Sequence, residues 1–194
     1  DLSEKNDVPV ISVLGMAESC SKFDAELSLY RILCDKGYKV SLVSSKSNVE
    51  LLGIQPFPSF MFSHHYSEIE KMNLFSNFVK NIIYHQRPDV IIIGIPGGII
   101  PFNKQHNMHY GITAYEVLSI IKPDYTIVNV WADYVQAAIL DDLVNICRYR
   151  YGIKINAIGV SNISIYNDHS TIERTHQEYN IYNLQYVDEK IASN

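Results

Sequence analysis

The stretch that decides the fold is Val8-Pro9-Val10-Ile11-Ser12-Val13-Leu14-Gly15-Met16-Ala17-Glu18-Ser19-Cys20-Ser21-Lys22-Phe23. Val8 to Leu14 is a compact apolar run with the length of a buried strand. It stops at Gly15, a residue type that turns a chain at little steric cost. From about Ser21 to Lys36 the period changes. Phe23, Leu27, Tyr30, Leu33 and Cys34 recur mostly at three- and four-residue steps, the stripe of an amphipathic helix. Gly37 then stands where a helix C′ residue belongs. Strand, glycine turn and helix in this order bring several backbone N–H groups and the positive end of a helix to one point, an arrangement that suits an anion.

The alternation continues outward from this unit. Tyr38 to Ser44 is a second strand, and Ser47 to Leu52 a short helix ending at Gly53. Gln55 to Ser63, with Pro56 and Pro58, is irregular or an edge segment. Glu68 to Gln86 predicts a longer helix with Ile69, Met72, Phe75, Phe78, Val79 and Ile82 on its buried side. Pro88 and Asp89 launch Val90-Ile91-Ile92-Ile93, apolar on both faces as a central parallel strand must be. Residues 96–109 read as a loop, 110–121 as a helix and Tyr125 to Val130 as a strand. Tyr134 to Tyr151 reads as a helix closed by Gly152, followed by a strand near Ile155 to Val160. The tail from Ser161 is polar, with a last strand at Asn180 to Val187. The expected fold is α/β: a doubly wound, mostly parallel sheet with helices on both faces. Ligands of such sheets bind beyond the carboxyl ends of the strands, which directs attention to turns 15–22, 44–48, 94–109, 131–134 and 160–164.

Composition narrows the function classes. The 194 residues, 47% apolar and 19% charged, suffice for one domain with a full core. Residues 8–194 are expected to form that single α/β domain. The polar opening, residues 1–7, reads as a linker or trimmed end, as in the later part of a longer protein. A net charge of −5 argues against a broad nucleic-acid surface. No apolar run reaches the roughly 20 residues of a membrane span, so no membrane partner is expected. Cys20, Cys34 and Cys147 are widely spaced and odd in number, which implies no disulfide framework and makes a reducing cytoplasm the default.

The first turn carries the clearest motif. The usual phosphate loop is G-x-x-x-x-G-K-[ST]. Here five residues separate Gly15 from Ser21, which is followed by Lys22 and Phe23. That longer spacing resembles the dethiobiotin-synthetase and cobyrinate-amidase branch of P-loop enzymes, which use G-x5-G-K-T. The resemblance implies a P-loop NTPase-like sheet; it leaves the cofactor unknown, with a nucleotide as the candidate. Gly15, Ser19, Ser21 and Lys22 are the candidate nucleotide-binding residues, joined by Gly97 and Gly98. Two departures stand out: Ser21 replaces the glycine that admits phosphate closely, and Phe23 replaces the hydroxyl that holds Mg²⁺. Asp24 offers a substitute metal ligand that would also repel phosphate. A plain alternative is a capping box, with Ser21 as N-cap, Asp24 at N3 and Lys22 in solvent.

Gly94-Ile95-Pro96-Gly97-Gly98, after the third main strand, resembles the V-E-G-A-G-G segment of the same branch. Gly94 stands at the acidic position, so the carboxylate that would work with a metal is missing there. Loss of the hydroxyl and of the acid together argues against ordinary metal-assisted ATP hydrolysis. Of His64, His65, His85, His106, His109, His169 and His176, none stands with Cys or carboxylates at a recognised zinc spacing, so no metal site is expected. Cys20 near a helix N-terminus is either a low-pKa thiol or a packed inert one. Asp133 either faces the cleft or caps the next helix.

A further resemblance rests on Val10-Ile11-Ser12-Val13-Leu14-Gly15, Cys20-Ser21-Lys22-Phe23, Gly37-Tyr38-Lys39-Val40, Phe57-Pro58-Ser59-Phe60-Met61-Phe62 and the run from Pro88 to Gly98. In these segments the chain looks like the clostridial peptide maturation system proteins. The resemblance implies a cluster that makes modified ribosomal peptides, and gives no reaction and no catalytic residue. The expected function is therefore an accessory protein of peptide maturation, with a maturation enzyme or precursor peptide as partner. The rival is a nucleotide-dependent ligase or amidase-like enzyme with an unusual phosphate loop. A nitrogenase-component-like domain, suggested by Gly37-Tyr38-Lys39-Val40 and Arg87-Pro88-Asp89-Val90, ranks last because it would need cofactor-ligating cysteines.

Overall fold

The computed structural model describes residues 8–100, 111–165, 172–174 and 180–183. The main sheet has seven strands: β1 (Val10–Gly15), β2 (Val40–Ser44), β3 (Gln55–Pro56), β4 (Val90–Gly94), β5 (Tyr125–Trp131), β6 (Ala157–Ser161) and β9 (Asn180–Asn183). Their order is β3-β2-β4-β1-β5-β6-β9. All neighbours pair in parallel except β9, which lies antiparallel against β6 at the edge. A separate antiparallel pair joins β7 (Ile163–Ile165) to β8 (Ile172–Arg174), which the polar tail did not announce.

Side chains that alternate along each strand divide the core between two faces. Val13, Leu42 and Ile92 meet Ala25 of helix α1 (Lys22–Asp35). Leu14, Val43, Ile91, Ile93, Val128 and Val130 belong to a larger core on the other side. That core takes in Phe75 and Val79 of α2 (Glu68–Gln86), Val117 and Leu118 of α3 (Ile112–Ile120), and Leu140, Leu143 and Cys147 of α4 (Ala137–Arg150). The sheet is doubly wound, with helices on both faces, as its sequence pattern predicts.

Element ends follow local chemistry. Helix α2 spans its predicted residues, opened by a capping box between Ser67 and Glu70. It closes where Arg87, before Pro88, turns left-handed at φ 47°. The predicted helix from Tyr134 is split: a 3₁₀ turn at Ala132–Tyr134 gives way to α4 only after Val135 and Gln136. Ile69, expected in the core, is 72% exposed; its turn presents Glu68 and Lys71 to a cavity instead. On α1 the expected stripe of Phe23, Leu27, Tyr30 and Leu33 is only half-buried. The residues of α1 with almost no exposure are Lys22, Ala25 and Glu26.

This topology places one crevice. The crossover leaving β1 runs to β2 on one side of it, while the crossover leaving β4 passes β1 to reach β5 on the other. The order thus reverses at β1, and its carboxyl end, Gly15, is the switch point where such sheets hold ligands.

Candidate functional site

Between Gly15 and Lys22 the chain is shaped by close backbone packing. The N–H of Met16 donates to the carbonyl of Asn129 on β5 at 2.8 Å. On the other flank, Ile99 N–H donates to Gly15 O at 3.0 Å and Ile100 N–H to Met16 O at 3.1 Å. The residues that follow Pro96-Gly97-Gly98 are therefore bonded directly to the turn. Two glycines make this possible. A Cβ on Gly15 would lie 2.4 Å from Cys20 Sγ, and one on Gly98 would lie 2.6 Å from Ala17 Cα. Met16, Ala17 and Cys20 are buried, whereas Glu18 and Ser19 are exposed. Trp131 Nε1 donates to Ser19 O at 3.2 Å, which ties the exposed part of the turn to the end of β5.

Ser21 holds the decisive geometry. Its φ is 56° and ψ 33°, the left-handed conformation that glycine adopts freely and an L side chain adopts at a cost of roughly 1–2 kcal/mol. The Ser21 side chain does not cap α1. It bonds instead to Ser161 Oγ at 2.7 Å and to Asn162 Oδ1 at 3.3 Å, beyond the carboxyl end of β6. The capping-box alternative is thereby corrected, because a capping Ser needs extended φ and ψ. Ser21 thus holds a conformation that glycine would adopt without strain, with Ser161 at the end of β6 and Asn162 after it as partners.

Lys22 is not the solvated side chain of that alternative either. It is 5% exposed, and its Nζ donates to Gly97 O. Burial pushes its ammonium below the usual lysine range, while Cys20, Glu18 and Glu26 nearby hold it up. Cys20 donates to Ala17 O at 2.9 Å, and burial raises its thiol above the ordinary range despite Lys22. It is the packed, inert thiol of the two readings.

The carboxylate missing at Gly94 is present by another route. Glu26, one helical turn after Lys22, is fully buried. A Cβ on Gly94 would lie 2.0 Å from Glu26 Oε1 and 2.3 Å from its Cδ. The acid of α1 thus occupies the space that a side chain on the end of β4 would fill. Ser44 Oγ donates to Glu26 Oε2 at 2.6 Å, and Ser45 N–H lies 3.2 Å from both oxygens. Burial nevertheless lifts the Glu26 carboxyl above its usual range, outweighing these bonds and the charge of Lys22. Sequence reading missed Glu26. Its signals were the four-residue step from Lys22, which puts both on one helix face, and a glycine ending an otherwise apolar strand.

Gly15, Ser21, Lys22, Gly97 and Gly98 therefore converge, and Ser19 lies at their solvent side. Beside them opens a cavity of about 240 Å³ lined by Ser19, Ser21, Lys22, Phe23, Ser45 and Lys46. Glu18 and Asp24 border it too. Its chemistry fits phosphate: two lysines, serine hydroxyls and the first turn of α1. Phe23 offers no oxygen to a loop-held Mg²⁺ and Glu26 is committed to Ser44 and Ser45, which leaves Asp24 and Glu18 as the carboxylates at this cavity. Asp133 lies in the 3₁₀ turn after β5. His106 and His109 fall outside the described residues. Among the described residues no three His, Cys, Asp or Glu side chains gather as a metal site, and no helix is long and apolar enough to cross a membrane.

Comparison with known proteins agrees with this geometry at the level of fold. No protein family matches the sequence, and no curated protein resembles it. Among solved structures, a nucleotide-binding protein from Archaeoglobus fulgidus in complex with ADP superposes with a TM-score of 0.57 at 12% identity, over 100% of this chain and 81% of that one. The signal recognition particle 54 kDa protein from Aeropyrum pernix, in complex with GDP, gives 0.53 at 14% identity, over 97% of this chain and 50% of that one. The likeness is one of fold, a doubly wound, P-loop NTPase-like α/β sheet. A DUF1611 family protein from Anabaena variabilis gives 0.58 at 10% identity, over 80% of this chain. This P-loop-like chain spans about half the length of the last two structures, 50% and 46%.

Proposed function

We propose that the chain is an accessory P-loop-like domain of modified-peptide maturation that holds the phosphates of a nucleotide without hydrolysing it. The observation that carries the nucleotide part is the left-handed Ser21, fastened to Ser161, which keeps the start of α1 directed at the cavity beside Lys22. Neighbours in complex with ADP and GDP support it. Phe23 in place of a hydroxyl, and Glu26 bound to Ser44, support binding without turnover. The long spacing of the turn supports descent from the dethiobiotin-synthetase branch. The motif resemblance between Val10 and Gly98 supports the biosynthetic setting, with a maturation enzyme or precursor peptide as partner.

A second reading has its own observation. Lys22 is buried and already occupied by Gly97 O, as in a turn retained only as scaffold for a partner. Titration with ATP and GTP, with and without Mg²⁺, separates the readings. Calorimetry gives the affinity, and emission of the single tryptophan, Trp131, reports the turn because its indole holds Ser19. Binding on the order of 100 µM or tighter is expected, about −5.5 kcal/mol. Lys22→Ala is expected to weaken it by roughly 10- to 150-fold, the loss of one charge-assisted bond of about 1.5–3 kcal/mol. Absence of any binding would leave the scaffold reading. Turnover abolished by Lys22→Ala would favour the ligase or amidase-like enzyme.

A further inference from the structure

A second cavity, of about 400 Å³, is lined by Gly97 but not by Lys22 and opens between the 3₁₀ turn at Ser59–Phe62 and the first turns of α2 and α3. Its volume lies within the roughly 300–1,000 Å³ of small-molecule sites. Two features give it a chemical character. The first is Glu116 on α3, which lines the cavity, is 3% exposed, and whose Oε1 has no hydrogen-bond partner among the described residues. An unmatched buried carboxyl is costly, so a cation that enters the cavity and pairs with the Glu116 carboxyl is favoured. The second is apolar surface beside the acid. Met61, Phe62 and Ile112 share the lining, and Phe62 and Ile112 are 53% and 45% exposed.

The charge balance selects the donor. Glu18, Glu68 and Glu116 face the cavity against one lysine, Lys71, with His64 the remaining titratable group. Lys71 is near enough to act on Glu116 electrostatically but donates no hydrogen bond to it. An anion would meet three carboxylates, and a neutral apolar guest would leave Oε1 unmatched. A primary ammonium brings three donors on one centre and tolerates an apolar chain behind it. We propose that this cavity binds a small aliphatic primary amine, with its ammonium on Glu116 and its carbon chain against Phe62 and Ile112. The site uses no residue of the phosphate cavity except Glu18 at the border of both, and it does not depend on nucleotide binding.

The test is an NMR titration of the full chain, without nucleotide, using n-hexylamine as probe and 1-hexanol and hexanoate as controls. Amide shifts at Gly97 and from Gly111 to Glu116 are expected with hexylamine, with a dissociation constant on the order of 1 mM for so small a ligand. Neither control should shift these resonances at the same concentration. Glu116→Gln, which preserves shape and removes the charge, is expected to weaken hexylamine at least about tenfold, with a native-like spectrum as the fold control. Phe62→Ala, at a half-exposed position, provides a second route: it should weaken hexylamine while leaving methylamine unchanged. Equal binding of 1-hexanol and hexylamine overturns the proposal. So does undiminished binding by Glu116→Gln, or a shift pattern confined to residues away from Gly97 and α3.

Discussion

Gly94→Ala tests the most unusual packing in the site. The new methyl would lie 2.0 Å from Glu26 Oε1, 2.3 Å from Cδ and 2.9 Å from Oε2, so the carboxylate must move. Movement breaks its bonds with Ser44 Oγ and Ser45 N–H inside a buried setting. Overpacking costs typically about 1–3 kcal/mol, and a hydrogen bond to a charged group is worth about 1.5–3 kcal/mol. A loss near 3 kcal/mol follows, or about 6–12 °C in Tm for a chain of this size. In a Glu26→Ala background the same methyl enters vacated space and should cost under about 1 kcal/mol, a coupling within the range seen for touching residues. Urea unfolding of the native chain, both single variants and the double variant measures this cycle, provided the m-value holds constant. Equal costs of Gly94→Ala in the two backgrounds, within about 0.5 kcal/mol, would show that Glu26 does not fill the place of a side chain at the end of β4.

Ser21 and Glu116 provide two further checks. Ser21→Gly relieves the left-handed strain while losing the bond to Ser161, whereas Ser21→Ala keeps the strain and loses the bond. The glycine variant should therefore be the more stable of the two by about 1 kcal/mol in urea unfolding, and the reverse order would refute a left-handed Ser21. Glu116 is raised above its ordinary value of 4.5 by burial and by Glu68, against the opposing charge of Lys71. The folded chain then binds this proton more tightly than the unfolded one. The stability that this proton confers is full below the ordinary value and is lost as pH rises through the folded one. Glu116→Gln, which cannot ionise, should thus be more stable than the native chain near about pH 8 and indistinguishable from it near about pH 4 in thermal unfolding; no difference at either pH would refute the shift.

The architecture was legible because it depends on repeating patterns. Apolar runs such as Val90 to Ile93, punctuated by Gly15, Gly37 and Gly53, announce parallel strands and turns, and the structure places these elements in a doubly wound sheet. The convergence of Gly15, Ser21 and Lys22 with Gly97 and Gly98 was also readable, since turns after neighbouring parallel strands must meet at one edge. What escaped the sequence depends on partners far along the chain. Ser21 reads locally as a cap, but its conformation is decided together with Ser161 on β6. The pattern of α1 reads as a stripe through Phe23 and Leu27, yet the face turned inward carries Lys22 and Glu26. Gly94 reads as a lost acid until the side chain crossing over it is seen. Glu116 lay in a predicted helix with no motif to mark it, because an unmatched buried oxygen is a property of surroundings and not of spacing.

The bonds from Ile99 and Ile100 to the carbonyls of Gly15 and Met16 continue into one from Gly111 N–H to Gly98 O at 2.7 Å. Together they tie the turn after β1 to the residue just before α3. A guest that draws Lys22 toward it must take that lysine from Gly97, a residue that also walls the amine cavity. Gly97 thus serves two neighbours at once, its carbonyl holding Lys22 and its backbone walling the second cavity.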